Sequence, residues 1–260
     1  MIQLHHGDCL EVMKSIPDKS IDMVLTDPPY GTTACKWDVV IPFEPMWEQL
    51  KRITKDNGAI CLFGIEPFSS SLRLSNIKSF RYDWFWIKNY NSGFVMAKKR
   101  PLVKVETISV FYNKQCRYNP IFESYSESSI KRFSKNRVVN NSKEIKQGYI
   151  TNKNGIKPFK GAFDFERGKY PSNVINFKCV AKRSKEKSGH PTQKPLALLE
   201  YLIKTYTLEG ETVLDFTMGS GSTGVACKNL NRSFIGIEKD NKYFNIAKER
   251  IENHVPSLLF

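Results

Sequence analysis

Strand-like and helix-like segments alternate at both ends of this 260-residue chain and vanish between them, and that interruption narrows the folds open to it most. Before the gap, Ile2–His5 reads as a strand, Cys9–Ser15 as a helix behind Asp8, and Ile21–Thr26 as a buried strand. Phe43–Ile53 has apolar residues at helical spacing, and Ala59–Phe63, Tyr82–Ile87 and Thr107–Tyr112 read as strands. After it come a helix Leu196–Tyr206, a strand Thr212–Phe216, a glycine-rich turn, a helix Thr223–Leu230, a strand Ser233–Glu238 and a helix Tyr243–Asn253. Such alternation on both sides of a polar centre predicts a parallel α/β sheet with an insertion. The expected division is an α/β domain from 1–113 and 171–260, with 114–170 inserted; within 114–189 no element is predicted.

Charge follows the same division. Residues 91–190 hold 22 Lys+Arg against 7 Asp+Glu, whereas the rest of the chain holds 18 against 19. A basic stretch with interleaved rings (Tyr112, Tyr118, Phe133, Tyr149, Phe159) is the footprint of a polyanion-binding segment in a neutral body. The plainer reading is a solvated basic surface. A hydrophobic fraction of 40% excludes a disordered chain. No apolar run reaches the roughly 18 residues of a membrane span, and the start lacks a signal peptide's pattern, so a soluble, cytoplasmic protein without a membrane partner is expected. Cysteines 9, 35, 61, 116, 179 and 227 show no C-x-x-C spacing, which suggests neither disulfides nor a metal site.

Two motifs carry chemistry. Gly219, Gly221 and Gly224 spell G-x-G-x-x-G after the strand that ends at Asp215. A carboxylate there repels a pyrophosphate and favours a cationic cofactor such as S-adenosylmethionine, while Glu238, at the end of the next strand, can accept from both ribose hydroxyls. The bland alternative is a tight strand-to-helix turn with no ligand. Near the N-terminus, Asp27-Pro-Pro-Tyr30 follows a buried strand and so sits at the sheet's ligand-binding edge. Pro28 and Pro29 remove two N–H donors, which leaves carbonyls and the Asp27 carboxylate as an acceptor-only cluster beside the Tyr30 ring. That suits an exocyclic amino group on a flat base, Asp27 and the Pro28 carbonyl accepting its hydrogens and Tyr30 stacking. A lone D-P-P-Y is otherwise a turn.

Here the chain resembles the amino-group DNA methyltransferases, whose catalytic tetrapeptide is D/N/S-P-P-Y/F. The order D-P-P-Y, basic region, His190-Pro-Thr-Gln-Lys-Pro195 and then the glycine turn is similar to their permuted β class. One departure is that F-x-G-x-G stands here as Phe216-Thr-Met-Gly219-Ser-Gly221, one residue longer. The resemblance implies a doubly wound, Rossmann-like methyltransferase sheet with circularly permuted motifs and an inserted target-recognition region. It implies that Asp8, Cys9, Asp27, Phe216, Gly219, Ser220 and Gly221 join Asp215 and Glu238 around S-adenosylmethionine, with Thr192, Gln193 and Lys194 beside its methionine part, and that Phe80–Asn89 forms the target-base pocket strand. In the plainer reading, His190–Pro195 is only an extended entry to the following helix, Thr192 or Gln193 satisfying its first turn.

The expected reaction is methylation of the N6 amine of adenine at a specific short sequence in double-stranded DNA, with Lys131, Arg132, Lys135 and Arg137 of the insertion on phosphates. Rival readings are N4-cytosine methylation, an RNA or protein substrate, an NAD-linked oxidoreductase and a catalytically dead DNA-binding protein. The absence of a Pro-Cys pair speaks against carbon-5 cytosine chemistry. The resemblance leaves open a homodimer and a cognate restriction enzyme as partners.

Overall fold

Runs of branched and aliphatic residues make the central strands. Ile21–Thr26 (β2), Thr212–Asp215 (β7) and Ser233–Glu238 (β8) are buried along nearly their whole length. That is the pattern of parallel strands covered by helices on each face. The computed structural model describes residues 1–32, 38–136, 168–181, 183–184, 186–188 and 192–256, and over 132–136 the backbone alone. The chain divides into two units, Met1–Asn119 with Ser172–Phe260, and Pro120–Pro171.

The first unit holds one eight-stranded sheet in the order β1-β8-β7-β2-β3-β5-β4-β6. The remaining strands are β1 (Ile2–His6), β3 (Thr54–Gly64), β4 (Phe80–Ser92), β5 (Val103–Phe111) and β6 (Val174–Asn176). β1, β8, β7, β2 and β3 run parallel, as expected from the alternation. β5 departs from that expectation: it lies antiparallel to both β3 and β4, because no α-helix separates β4 from β5 and a short connection returns the chain on itself. The sheet is therefore mixed.

Side-chain alternation sends residues to two cores. Met23, Leu25, Cys61, Phe63 and Val213 pack on one face with α5 (Leu196–Tyr206), α6 (Ser222–Asn229) and α7 (Asn241–Glu252). Val24, Ile60, Leu62 and Leu214 pack on the other with α1 (Cys9–Met13), α2 (Phe43–Ile53) and α3 (Phe68–Ser75). The chain leaves β2 through α2 towards β3 and leaves β7 through α6 towards β8, on the opposite side. β2 and β7 are neighbours, so a crevice opens between their C-terminal ends, the topological switch point at which open α/β sheets bind ligands.

The second unit contains α4 (Glu127–Asn136), an antiparallel bridge between Glu123 and Lys169, and Phe122 packed on Tyr170 at 4.9 Å. Both α4 and β6 fall where no element was predicted: α4 is rich in Ser and Lys, and β6 is a three-residue edge strand. Among the described residues no helix is long and apolar enough to cross a membrane.

Candidate active site

β2 delivers Asp27 to the crevice, and three contacts fix the loop that follows. The Asp38 carboxylate, itself buried, accepts from the backbone N–H groups of Tyr30 (2.7 Å), Gly31 (2.9 Å) and Thr32 (2.9 Å). Gly31 has a φ of +68°, a conformation that favours glycine, and a Cβ there would stand 2.9 Å from Val40. The Tyr30 hydroxyl donates to Asp27 Oδ1, and the Lys194 ammonium donates to Asp27 Oδ2. Lys194 also lies 3.5 Å from Glu106 Oε2 and 5.0 Å from the centre of the Phe63 ring, and Glu106 is bridged to Lys88 at 3.0 Å.

These charges are shielded from water, and their proton affinities follow. Burial raises the Asp27 carboxyl above the ordinary value, with Lys194 pulling against it. Burial pushes Lys194 down, yet Asp27 and Glu106 more than offset this and hold the amine protonated. Burial, then the Asp27 charge, raises Tyr30 well above a free phenol, so it stays a hydrogen-bond donor. With two lone pairs per carboxylate oxygen, Asp27 retains an acceptor site on each, and 24% of its side chain stays open.

β7 delivers the second half. The Phe216 N–H donates to the Thr26 hydroxyl (3.2 Å) and the Thr217 hydroxyl to the Asp27 carbonyl (3.1 Å), so the glycine turn is braced against the acceptor loop. Gly221 has a φ of +75°, and a Cβ on it would stand 2.8 Å from Ile251 of α7; a Cβ on Gly224 would stand 2.5 Å from the same side chain. Both positions therefore need glycine for α6 to pack on α7. Glu238 accepts from Gly219 N–H (2.9 Å) through Oε2 and from Asp240 N–H (2.8 Å) through Oε1, which leaves one acceptor site on each oxygen.

Asp27, Pro28, Pro29, Tyr30, Asp8, Cys9, Thr192, Gln193, Lys194, Asp215, Phe216, Gly219, Ser220 and Glu238 all line one cavity of about 920 Å³. Its size lies at the top of the small-molecule range of about 300–1,000 Å³. Trp86, Lys88 and Tyr90 of β4 complete one wall, and the Trp86 indole N–H is held on the Phe177 carbonyl at 2.8 Å. The cavity thus joins an amine-accepting loop to a glycine turn with two carboxylates.

Residues 21–249 match the family model described as DNA methylase, of the N6 and N4 type. The chain belongs to this DNA methylase family. The type II methyltransferase M.HpaI of Haemophilus parainfluenzae is 29% identical over 257 residues, covering 95% of this chain and 73% of that protein. The DNA adenine methyltransferase YhdJ of Escherichia coli K12 is 29% identical over 259 residues, 95% of this chain and 81% of that protein. Among solved structures, the M1.HpyAVI–SAM complex matches with a TM-score of 0.63 at 25% identity over 96% of this chain and 99% of that one. The cytosine-N4-specific PvuII DNA methyltransferase shares the fold, with a TM-score of 0.65 at 16% identity over 98% and 88%.

The expected site residues of this methylase have the following partners. Lys194, expected beside the cofactor's methionine part, has its ammonium on Asp27. Gln193 spends both ends of its amide on the preceding loop, accepting from Ser188 N–H and Oγ and donating to the Glu186 carbonyl. The Leu196 N–H at the start of α5 is taken by Glu186 Oε1 at 2.8 Å. Gly219, Ser220 and Ser222 line the cavity, and Gly221 between them packs against Ile251. Asp215 turns its carboxylate to the Thr223 hydroxyl (2.6 Å) and the Thr217 N–H (3.2 Å), and burial raises it to about 7. Burial raises the Cys9 thiol to about 12, which makes it an inert part of the wall. On β4, Trp84 is in the core with its N–H on the Tyr206 hydroxyl, and only the outer part of the predicted pocket strand reaches the cavity.

Lys131 is exposed on α4; Arg132 and Lys135 share that helix, their side chains outside the described residues, as is Arg137 altogether. His190 also lies outside them. Sequence reasoning missed Asp38, Glu106, Lys88 and Arg250. Arg250 donates to the Ser220 carbonyl (3.1 Å), Ser222 Oγ (2.9 Å) and the Glu186 carbonyl (3.3 Å), tying the glycine turn to the loop before α5. For Asp38 the signal was its nearness: an acid that follows the Tyr30-Gly31-Thr32 turn by only a few residues.

Proposed function

We propose that this methylase transfers the methyl group of S-adenosylmethionine to the exocyclic N6 amine of adenine, flipped out of double-stranded DNA at a specific short sequence. The observation that carries the reading is the meeting of two half-sites in one cavity: the Asp27 acceptor loop and the glycine turn with Glu238. The cofactor fits the residues present, because Glu238 keeps an acceptor site on each oxygen for ribose hydroxyls and the Asp215 carboxylate, in the same cavity, suits a cationic ligand. When bound, it supplies an electrophilic methyl group on a sulfonium.

The chain's own residues do the rest. An adenine amine is a poor nucleophile because its lone pair is shared with the ring. Asp27 and the Pro28 carbonyl accept its two hydrogens, which draws the nitrogen towards tetrahedral geometry and localises that pair. Tyr30 orients the ring by stacking, and Lys194 keeps Asp27 ionised until it is needed. The proton shed by the methylated nitrogen passes to the Asp27 carboxylate, whose proton affinity burial raises. A homodimer and a cognate restriction enzyme remain part of the proposal as partners of this chemistry.

Adenine is preferred over cytosine because relatives across nearly the whole chain include one named a DNA adenine methyltransferase, and because the tetrapeptide begins with Asp27. Incubation with tritiated S-adenosylmethionine and unmethylated DNA, followed by nucleoside analysis, tests this. N6-methyladenine is expected; N4-methylcytosine or unlabelled DNA overturns it.

A further inference from the structure

The hairpin between β4 and β5 ends in a tip that the chemistry above does not use. Phe94 is 68% exposed and Val95 97% exposed, with Met96 beside them. The tip is built rather than loose. Residues Phe94–Met96 form a 3-10 turn, and Met96, Ala97, Lys99 and Arg100 donate their N–H groups to carbonyls of Gly93, Phe94, Met96 and Met96, at 2.8–3.1 Å. The braced turn therefore holds a phenyl ring and a branched side chain side by side in water, a fixed apolar point whose use its surroundings indicate.

Charge and position say which use. From Tyr90 to Val105 the chain carries Lys98, Lys99, Arg100 and Lys104 and no acidic residue. The tip is also continuous with the active-site cavity: Tyr90, Ser92, Gly93, Arg100 and Val103, at its base, line the cavity wall. An apolar point flanked by a run of cations, at the mouth of a pocket that receives a base, matches a duplex from which that base has just left. The vacated stack offers an apolar slot, and the phosphates beside it offer negative charge.

We propose that Phe94 and Val95 are the wedge that fills the space left by the flipped adenine, and that Lys98, Lys99 and Arg100 hold the adjoining phosphates. This rests on the function proposed above. It assigns to the tip the opening of the duplex, separate from the chemistry at Asp27.

The test uses the full-length protein and a duplex containing the site that the wild type labels in mixed-sequence DNA. Single-turnover methylation is measured on the paired duplex and on one in which the target adenine faces an abasic position, so that unpairing is already done. The double variant Phe94→Ala/Val95→Ala should be at least about 10-fold slower on the paired duplex and within about threefold of wild type on the abasic one. A wild-type rate on the paired duplex, or an equal loss on both, overturns the wedge. The triple variant Lys98→Gln/Lys99→Gln/Arg100→Gln should flatten the slope of log affinity against log salt by about 0.9 for each phosphate it no longer neutralises; an unchanged slope removes these cations from the interface. If the wild type labels no DNA at all, it is the proposed function that fails, not the wedge.

Discussion

Lys194 and Asp27 stand 167 residues apart in the chain and are joined ammonium to carboxylate at the floor of the cavity. The pair fixes the protonation state of the acceptor group. Removing the charge in Lys194→Met leaves the Tyr30 hydrogen bond alone to oppose burial, so Asp27 should titrate higher. Because the reaction needs ionised Asp27, the acidic limb of the single-turnover rate profile should move upward by about 1–3 pH units, the span expected for losing an adjacent opposite charge. A pH–rate profile of the two proteins checks it, and superimposable acidic limbs would remove Lys194 from this role.

Asp27 itself should matter to turnover and not to the cofactor. Asp27→Ala is expected to lose at least about 100-fold in rate, the scale for a transition-state hydrogen-bonding group, while S-adenosylmethionine affinity by calorimetry stays within a few-fold of wild type.

Glu238 should show the reverse. Charge-assisted hydrogen bonds of roughly 1.5–3 kcal/mol to the ribose make Glu238→Ala bind S-adenosylmethionine about 10- to 100-fold more weakly. Unchanged affinity in the same calorimetric assay would place the ribose elsewhere.

Asp215 gives a stability prediction. Its folded carboxyl is raised to about 7 from an ordinary 3.8, so between those values the native state binds more protons than the unfolded one. The protein should lose stability as pH rises from about 4 to 7 and then level off, by up to roughly 4 kcal/mol. Asp215→Asn should abolish that part of the slope. Denaturant unfolding of both proteins across this range measures it.

The basic insertion is read as a DNA grip. Changing Lys131, Arg132, Lys135 and Arg137 to Gln should flatten the salt slope of DNA binding by up to four phosphates' worth, about 0.9 each, and weaken specific and non-specific DNA alike. Cofactor affinity should not move. A wild-type salt slope would make this tract a solvated surface.

What was legible in the sequence was what is local. Asp27-Pro-Pro-Tyr30 and the turn after Asp215 each sit within one strand and its exit, so periodicity and turn chemistry place them, and helices 43–53 and 196–206 follow from their apolar spacing. Lys194 and Glu106 act through partners brought near by strand order and loop path, which spacing does not encode. The reversal of β5 was hidden for a related reason: an aromatic, β-branched run reads alike whichever way it points. α3 was missed because its Ser69-Ser-Ser71 run mimics a loop, although Phe68 and Leu72 supply a buried face.

The place of β7 and β8 between β1 and β2 also sets the order in which this protein comes into being. A ribosome that has released the first two hundred residues has made the acceptor loop but left a gap two strands wide in the sheet that supports it. Only when the chain beyond Thr212 emerges can β7 and β8 slot in, and each must find a neighbour made long before, Met23 for Val213 and Ile2 for Phe234. The half-made enzyme therefore has no donor site beside its acceptor loop, and a product truncated before residue 212 has two unpaired inner edges instead of a catalytic crevice. Modification of DNA begins only once the chain has been made past β8.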